Sequence, residues 1–286
     1  RDAIYVWTDT ALFIMRFVGA PFVFSFQQVG TNCGLIGKNA AVEVDGSAYW
    51  MSENGFFRYT GKLDSLACLV EDYVYDDMNT VPKQHIYAGL NNLFGEVTWF
   101  YPGSGAASNN RSVTYNYMDS TPERPVWTTS TLARSAWSDS HIFGKPHATE
   151  YDSSATSDTT VGNTDGVTVY YEHETGQDQI KAGARTGISA SIESGDFDIS
   201  ATQGGGADLR GDGEHMMKIR RVLPDFLQQT GDARVTLNLK NYPTDSQASS
   251  SLGPFTTTTS TTKIDTRARA RAISLKVDNT STKQHW

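Results

Sequence analysis

Polar and apolar positions alternate in short bursts along most of this chain. The densest burst is at residues 40–61, AAVEVDGSAYWMSENGFFRYTG. Val42 and Val44 alternate with polar neighbours, the period of a half-buried strand. Asp45-Gly46 follows, a dipeptide that tolerates positive φ and suits a tight hairpin turn. SAYWM then reads as a second strand, Glu53-Asn54-Gly55 as a turn, and FFRYTG as a third strand. The result is a compact, aromatic-bearing antiparallel meander.

The same unit recurs. Residues 3–18 give two strands around Thr8-Asp9-Thr10; Gly19-Ala20-Pro21 breaks the pattern and FVFSFQQV adds a third strand. A Gly-punctuated crossing loop at 30–37 leads into the second meander. Residues 66–70 read as strand and 71–79 as a short helical turn or the entry to the next blade. A third meander runs through IYAGLNN, EVTWFYPG, SVTYNYMD and PVWTTSTL. Trp7, Trp50 and Trp99 are spaced 43 and 49 residues apart, close to the period of roughly 40–50 that marks propeller blades. A weaker fourth meander pairs HATEYD with VTVYYEHETG across a polar loop at 153–166. Residues 188–199 read as a strand pair around Ser194-Gly195, and 203–213 as a Gly/Asp-rich connector. In the tail, HMMKIRRVLPDF, ARVTLNLKNYP and TKIDTRARARAISLKV read as long strands, with a Ser/Thr-rich low-complexity segment at 246–262. The expected fold is all-β: a β-propeller-like body of repeated antiparallel meanders over 1–200, plus closing strands or a small accessory β-sheet region over 201–286.

Composition narrows the function. The formal charge is −8, a poor match to a sequence-reading nucleic-acid binder, which carries a basic patch. It leaves room for an acidic channel through which nucleic acid slides without sticking. Cys33 and Cys68 have no metal-ligand spacing and read as reduced thiols. The longest apolar stretch, at 11–26, is broken by Arg16, Gly19 and Pro21, so no stable membrane insertion is expected. The chain opens on Arg1 directly in a strand pattern, which reads as a piece of a longer natural protein.

Candidate chemistry is sparse. Arg267, Arg269 and Arg271 alternate with alanines, so on a strand the three guanidinium groups share one face. One reading is an intramolecular ladder against acidic residues of a neighbouring strand. The other is a ridge for a subunit interface or for phosphates, since Arg matches carboxylate and phosphate bidentately. Arg220 and Arg221 fit the same two readings. Glu172, His173 and Glu174 combine carboxylates with an imidazole, but alternation puts His173 on the opposite face from the two acids, so a structural hydrogen bond is expected there. Glu71, Asp72, Asp76 and Asp77 form an acidic cluster without the EF-hand order of ligands and read as a solvated loop. Glu96 and Glu172 are a conceivable glycosidase pair. No catalytic residue, cofactor or metal site is expected.

Two stretches carry a family resemblance. One is TNCGLIGKNAAVEVDGSAYWMSENGFFRYTG; the other is the pair YEHETG and RARARAISLKV, with LARSAW adding to it. Together they resemble the tail nozzle, or tail tubular, proteins of short-tailed bacteriophages and the related packaged-DNA stabilisation proteins. The resemblance implies a non-enzymatic virion protein in a hexameric ring at the distal end of the tail. It would be assembled in the bacterial host cytoplasm and adjoin an adaptor ring and tail fibres. The ring would continue the portal channel, help retain packaged DNA, and conduct double-stranded DNA non-specifically during ejection. This chain departs from the pattern in being short, with four recognisable meanders. The alternative is a β-propeller glycan-binding or glycoside-hydrolysing protein, motivated by its Trp, Tyr and loop carboxylates.

Overall fold

The computed structural model describes residues 3–139, 142–152, 166–181, 184–199, 215–242, 248–279 and 286. The loop expected at 153–166, apart from Gly166, and the connector at 203–213 lie outside the described residues. The chain is nearly all β, in antiparallel sheets none of which is closed. It divides into two compact units, Arg1–Thr175 and Gly176–Trp286, so the second begins earlier than the boundary at 201 read from the sequence.

Four sheets follow one another along the first unit. The first is β1 (Ala3–Trp7), β2 (Ala11–Phe17) and β3 (Phe24–Thr31), paired in that order. The second is β4 (Ala41–Val44), β5 (Ser47–Ser52), β6 (Gly55–Tyr59) and β7 (Leu63–Leu66). A short helix, α1 (Glu71–Asp77), leads to the third sheet: β8 (Tyr87–Asn91), β9 (Glu96–Tyr101), β10 (Arg111–Asn116) and β11 (Trp127–Ser130). The fourth is β12 (Ala136–Ser138), β13 (His147–Asp152) and β14 (Val167–Glu172).

Local chemistry explains the second sheet. Asp45 (φ 48°) and Gly46 (φ 82°) form a two-residue loop between paired Val44 and Ser47. Positive φ at both positions twists the turn in the same sense as the strands. Strand β5 is apolar on both faces because both are covered. Ala48 and Trp50 face a core with Leu12, Ile14 and Cys33 of the first sheet and its following loop. Tyr49 and Met51 face a core with Val97, Trp99 and Tyr101 of the third. Trp50 and Trp99 are fully buried, and each indole N–H donates to a loop carbonyl: Trp50 to Cys33 at 2.8 Å, Trp99 to Ala40 at 3.0 Å. Burying a Trp is favourable only if its N–H is satisfied, so these bonds lock each sheet to the segment before or beside it. Gly34 makes the first junction possible: a Cβ there would lie 2.1 Å from the Asp9 backbone.

The hairpin β2–β3 departs from the expected blade. Its inner half joins the core through Leu12 and Ile14. Its outer half leaves Phe17, Phe22, Phe24 and Phe26 exposed, at 50–77% of their surface, with Val18 and Val23.

The second unit contains the hairpin β15 (Asp178–Lys181) and β16 (Ala184–Gly187), then β17 (Ser191–Glu193), β18 (Met217–Val222), β19 (Ala233–Lys240), β20 (Ser250–Thr257), β21 (Ile264–Ala270) and β22 (Ala272–Asp278). One sheet has the order β17-β22-β19-β20, and a second is the pair β18-β21. Strict alternation in β19 buries Ala233, Val235, Leu237 and Leu239. Leu237, Leu239 and Ile273 of the larger sheet pack against Ala268 and Ala270 of β21 and against Met217 and Ile219 of β18. The two alanines keep the facing layers close.

Three expectations are corrected here. The strand pair read at 188–199 does not pair with itself: β17 pairs with β22, and Phe197 bridges to Ile273. The low-complexity segment contains strand β20, an edge strand on β19. The final long strand is two, because the chain bends at Arg271 and changes sheet. Among the described residues no helix is long and apolar enough to cross a membrane.

Candidate functional site: a cationic sheet face

The RARAR stretch is placed by β21 and its bend. Ala268 and Ala270 are fully buried while Arg267 and Arg269 are exposed, so alternation sends both guanidinium groups to one face. Arg271 is exposed at the corner between β21 and β22, where its backbone N–H donates to the Lys240 carbonyl. The two sequence-singled groups come together here, because the neighbour of β21 is β18, which carries Arg220 and Arg221.

Of the acidic ladder that is one of the two readings, that neighbour shows a single rung, Asp265 against Arg221. Lys218 lies directly opposite Arg269. The register slips between Ile219, opposite Ala268, and Arg221, opposite Asp265, leaving Arg220 facing Thr266 and Arg267. This bulge breaks the alternation of β18, so the consecutive residues Arg220 and Arg221 are both exposed. Asp265 is the one carboxylate on these two strands. It is paired with Arg221 at 2.7 Å and Lys263 at 3.4 Å, and its hydrogen bond from Arg221 is the main reason its carboxyl sits below the usual range. Lys218, Arg220, Arg267, Arg269 and Arg271 make no ion pair among the described residues. Like charges directly opposite each other destabilise a strand pair, so this face carries a cost that an anionic partner would relieve.

The acid constellations behave differently. Glu172 lies opposite His147 at the end of β14, and Glu174 has left the strand into a turn at φ 56°. The carboxylate that Glu96 feels is that of Glu174, not Glu172; burial first and Glu174 second push the Glu96 carboxyl above its usual range. Glu174 accepts a hydrogen bond from Asn91 at 3.4 Å. The conceivable Glu96–Glu172 pair is therefore replaced by Glu96 and Glu174.

His173 turns inward. Its Nε2 accepts from Arg134 Nε at 3.0 Å, and its ring lies 4.5 Å from that of Trp137. Burial and the Arg134 charge push the imidazole down to about 4, so it is neutral at physiological pH. Arg134, nearly buried, also donates to Glu150 at 3.1 Å and stacks over Tyr171 at 4.1 Å. LARSAW and YEHETG, far apart in sequence, thus meet in one hydrogen-bonded strut.

Of the acidic cluster on α1, Asp77 is paired with Arg111 at 3.0 Å. No three His, Cys, Asp or Glu side chains among the described residues are placed to hold a metal ion. A cleft of about 280 Å³ lined by Arg58, Asp64, Tyr115 and Pro125 holds a single carboxylate, already paired with Arg58. The two thiols are free, and burial pushes Cys68 up to about 12.

Fold and site together define an all-β protein with a cationic two-stranded face. Neither the protein-family models nor the curated proteins compared with the chain gave a match.

Proposed function

We propose that the chain is a structural component of the tail of a short-tailed bacteriophage, a nozzle protein acting as one subunit of an oligomeric, hexameric ring. The observation that carries this reading is the apolar arm of hairpin β2–β3: Phe24 and Phe26 stand exposed on the edge strand β3, with Phe17 at the end of β2 and Val18, Phe22 and Val23 in the loop between them. A contiguous apolar patch on an otherwise polar surface marks a contact surface, and an edge strand offers unpaired backbone groups to a neighbour. We assign its occupant as the next copy in the ring. The four successive sheets, each packed or bridged to the next, support a propeller-like body that serves as rigid masonry. In this reading the ring adjoins an adaptor ring and tail fibres in the virion, is assembled in the bacterial host cytoplasm, and retains and then conducts double-stranded DNA without cofactor or catalysis.

Light scattering on the purified chain tests the assembly. Wild type should form a discrete oligomer that F22S/F24S reduces to a folded monomer, with the β signature of its circular dichroism retained. Proteomics and imaging of phage particles test the location. A strictly monomeric protein absent from particles would refute the proposal. The glycan reading draws on the Glu96–Glu174 proximity; loss of glycan hydrolysis in Glu96→Gln would favour it over the structural role.

A further inference from the structure

We infer that the outward face of β18–β21 is a binding site for the phosphate backbone of duplex nucleic acid, read without regard to sequence. Five cations, Lys218, Arg220, Arg267, Arg269 and Arg271, stand exposed and without an acidic partner among the described residues. They sit on a regular scaffold: Arg267 and Arg269 are two residues apart on β21, hence about 6–7 Å along the strand, and Lys218 flanks Arg269 across the ladder. Lys218 and Arg220, two residues apart on β18, share that face by alternation, and the bulge adds Arg221, which Asp265 pairs.

The kind of anion follows from what the face lacks. Every outward residue of the two strands is charged: Lys218, Arg220, Arg221, Asp265, Arg267 and Arg269. A protein partner is anchored by buried aromatic or aliphatic side chains, and none projects from the outward positions of the two strands, although Met216 and Leu223 are exposed just beyond the ends of β18. Interfaces with nucleic acid are more polar and far more positive. The same absence of aromatics removes a stacking platform for unpaired bases, which favours a duplex over a single strand. The contact inferred is to phosphates; because Arg can also read guanine edges and a two-stranded ribbon fits the major groove, equal binding of G·C-rich and A·T-rich duplexes is the expected sign that no base is read. This would hold whether or not the protein belongs to a phage tail.

Fluorescence anisotropy with a labelled mixed-sequence duplex of about 30 base pairs tests it on the full chain, titrated between about 20 and 200 mM salt. Five phosphate contacts at about −0.9 each set a limiting log–log slope near −4.5, with a dissociation constant in the micromolar range at the low-salt end. The double reversal R267E/R269E should weaken binding at least tenfold and flatten the slope by about 2. R267K/R269K, which preserves charge, should keep most of the affinity, and an undiminished melting temperature of R267E/R269E excludes a folding defect as the cause. No duplex binding at the lowest salt would overturn the inference, and so would equal binding by the reversed variant. If the duplex is not bound and R267E/R269E instead breaks an oligomer, the face is a contact between copies and the nucleic-acid assignment is wrong. An intact particle-tail result with no duplex binding would refute this site alone; duplex binding by a chain absent from particles would refute the tail reading alone.

Discussion

Replacing Arg269 by glutamate should make the C-terminal unit more stable. Lys218 and Arg269 are direct cross-strand neighbours with no carboxylate between them. Directly opposed residues have Cβ atoms about 5 Å apart. Two unit charges at that separation repel by about 0.8 kcal/mol in a water-like dielectric. Long side chains splay, which reduces this by about half, but R269E counts twice, because a repulsion is lost and an attraction gained. The expected gain is about 0.5–1 kcal/mol, within the range for cross-strand charge pairs. In a unit of about 100 residues this raises its melting transition by about 2–6 °C. Scanning calorimetry at low salt reads it directly. Repeating the scan at about 0.5 M salt should erase most of the gain, since exposed charges are then screened. A lower melting temperature, or a gain that ignores salt, would refute the picture of an unrelieved cationic face. Because the same substitution is expected to weaken duplex binding, a more stable variant that binds worse would separate function from folding.

Three further outcomes are expected in the N-terminal unit. His173 is held far below its ordinary value, so the unfolded chain takes up a proton that the folded one refuses; stability should be full above about pH 6.5 and fall towards pH 4, by about 1–2 kcal/mol once partial solvent screening is allowed for, and H173Q should flatten that window in urea titrations. Trp99→Ala removes a fully buried indole and its bond to the Ala40 carbonyl, and should cost about 3–5 kcal/mol by equilibrium unfolding. Gly34→Ala would drive a methyl group into the Asp9 backbone; soluble expression and the melting temperature should both drop by more than for Gly46→Ala, where the Cβ meets nothing, although Gly46 has positive φ.

Much of the first unit was legible because its signals are local. The Asp-Gly turn, the alternation around Val42 and Val44, and the buried tryptophans of successive sheets each depend on residues adjacent in the chain or on a simple period. What stayed hidden depends on residues that meet only after folding. LARSAW and YEHETG resembled a family without disclosing that Arg134, Trp137 and His173 touch. Edge strand β20 escaped notice because Ser and Thr can line an exposed edge without an apolar pattern; its buried anchor, Thr257, is held by a side-chain bond to the Ala233 carbonyl at 3.0 Å.

The cationic face shows most clearly why composition misleads. A whole-chain charge of −8 averages over surfaces that never share a partner, whereas screening confines an exposed charge to a neighbourhood of about 10 Å. Within that neighbourhood β18 and β21 place cation beside cation. Alternation revealed Arg267 and Arg269 as neighbours, but it also required Arg220 and Arg221 to face opposite ways. Only the register slip between Ile219 and Arg221 brings both to the surface. A bulge depends on how two strands pair across more than forty residues of chain, so the single feature that enlarges the face is also the one that no local pattern encodes.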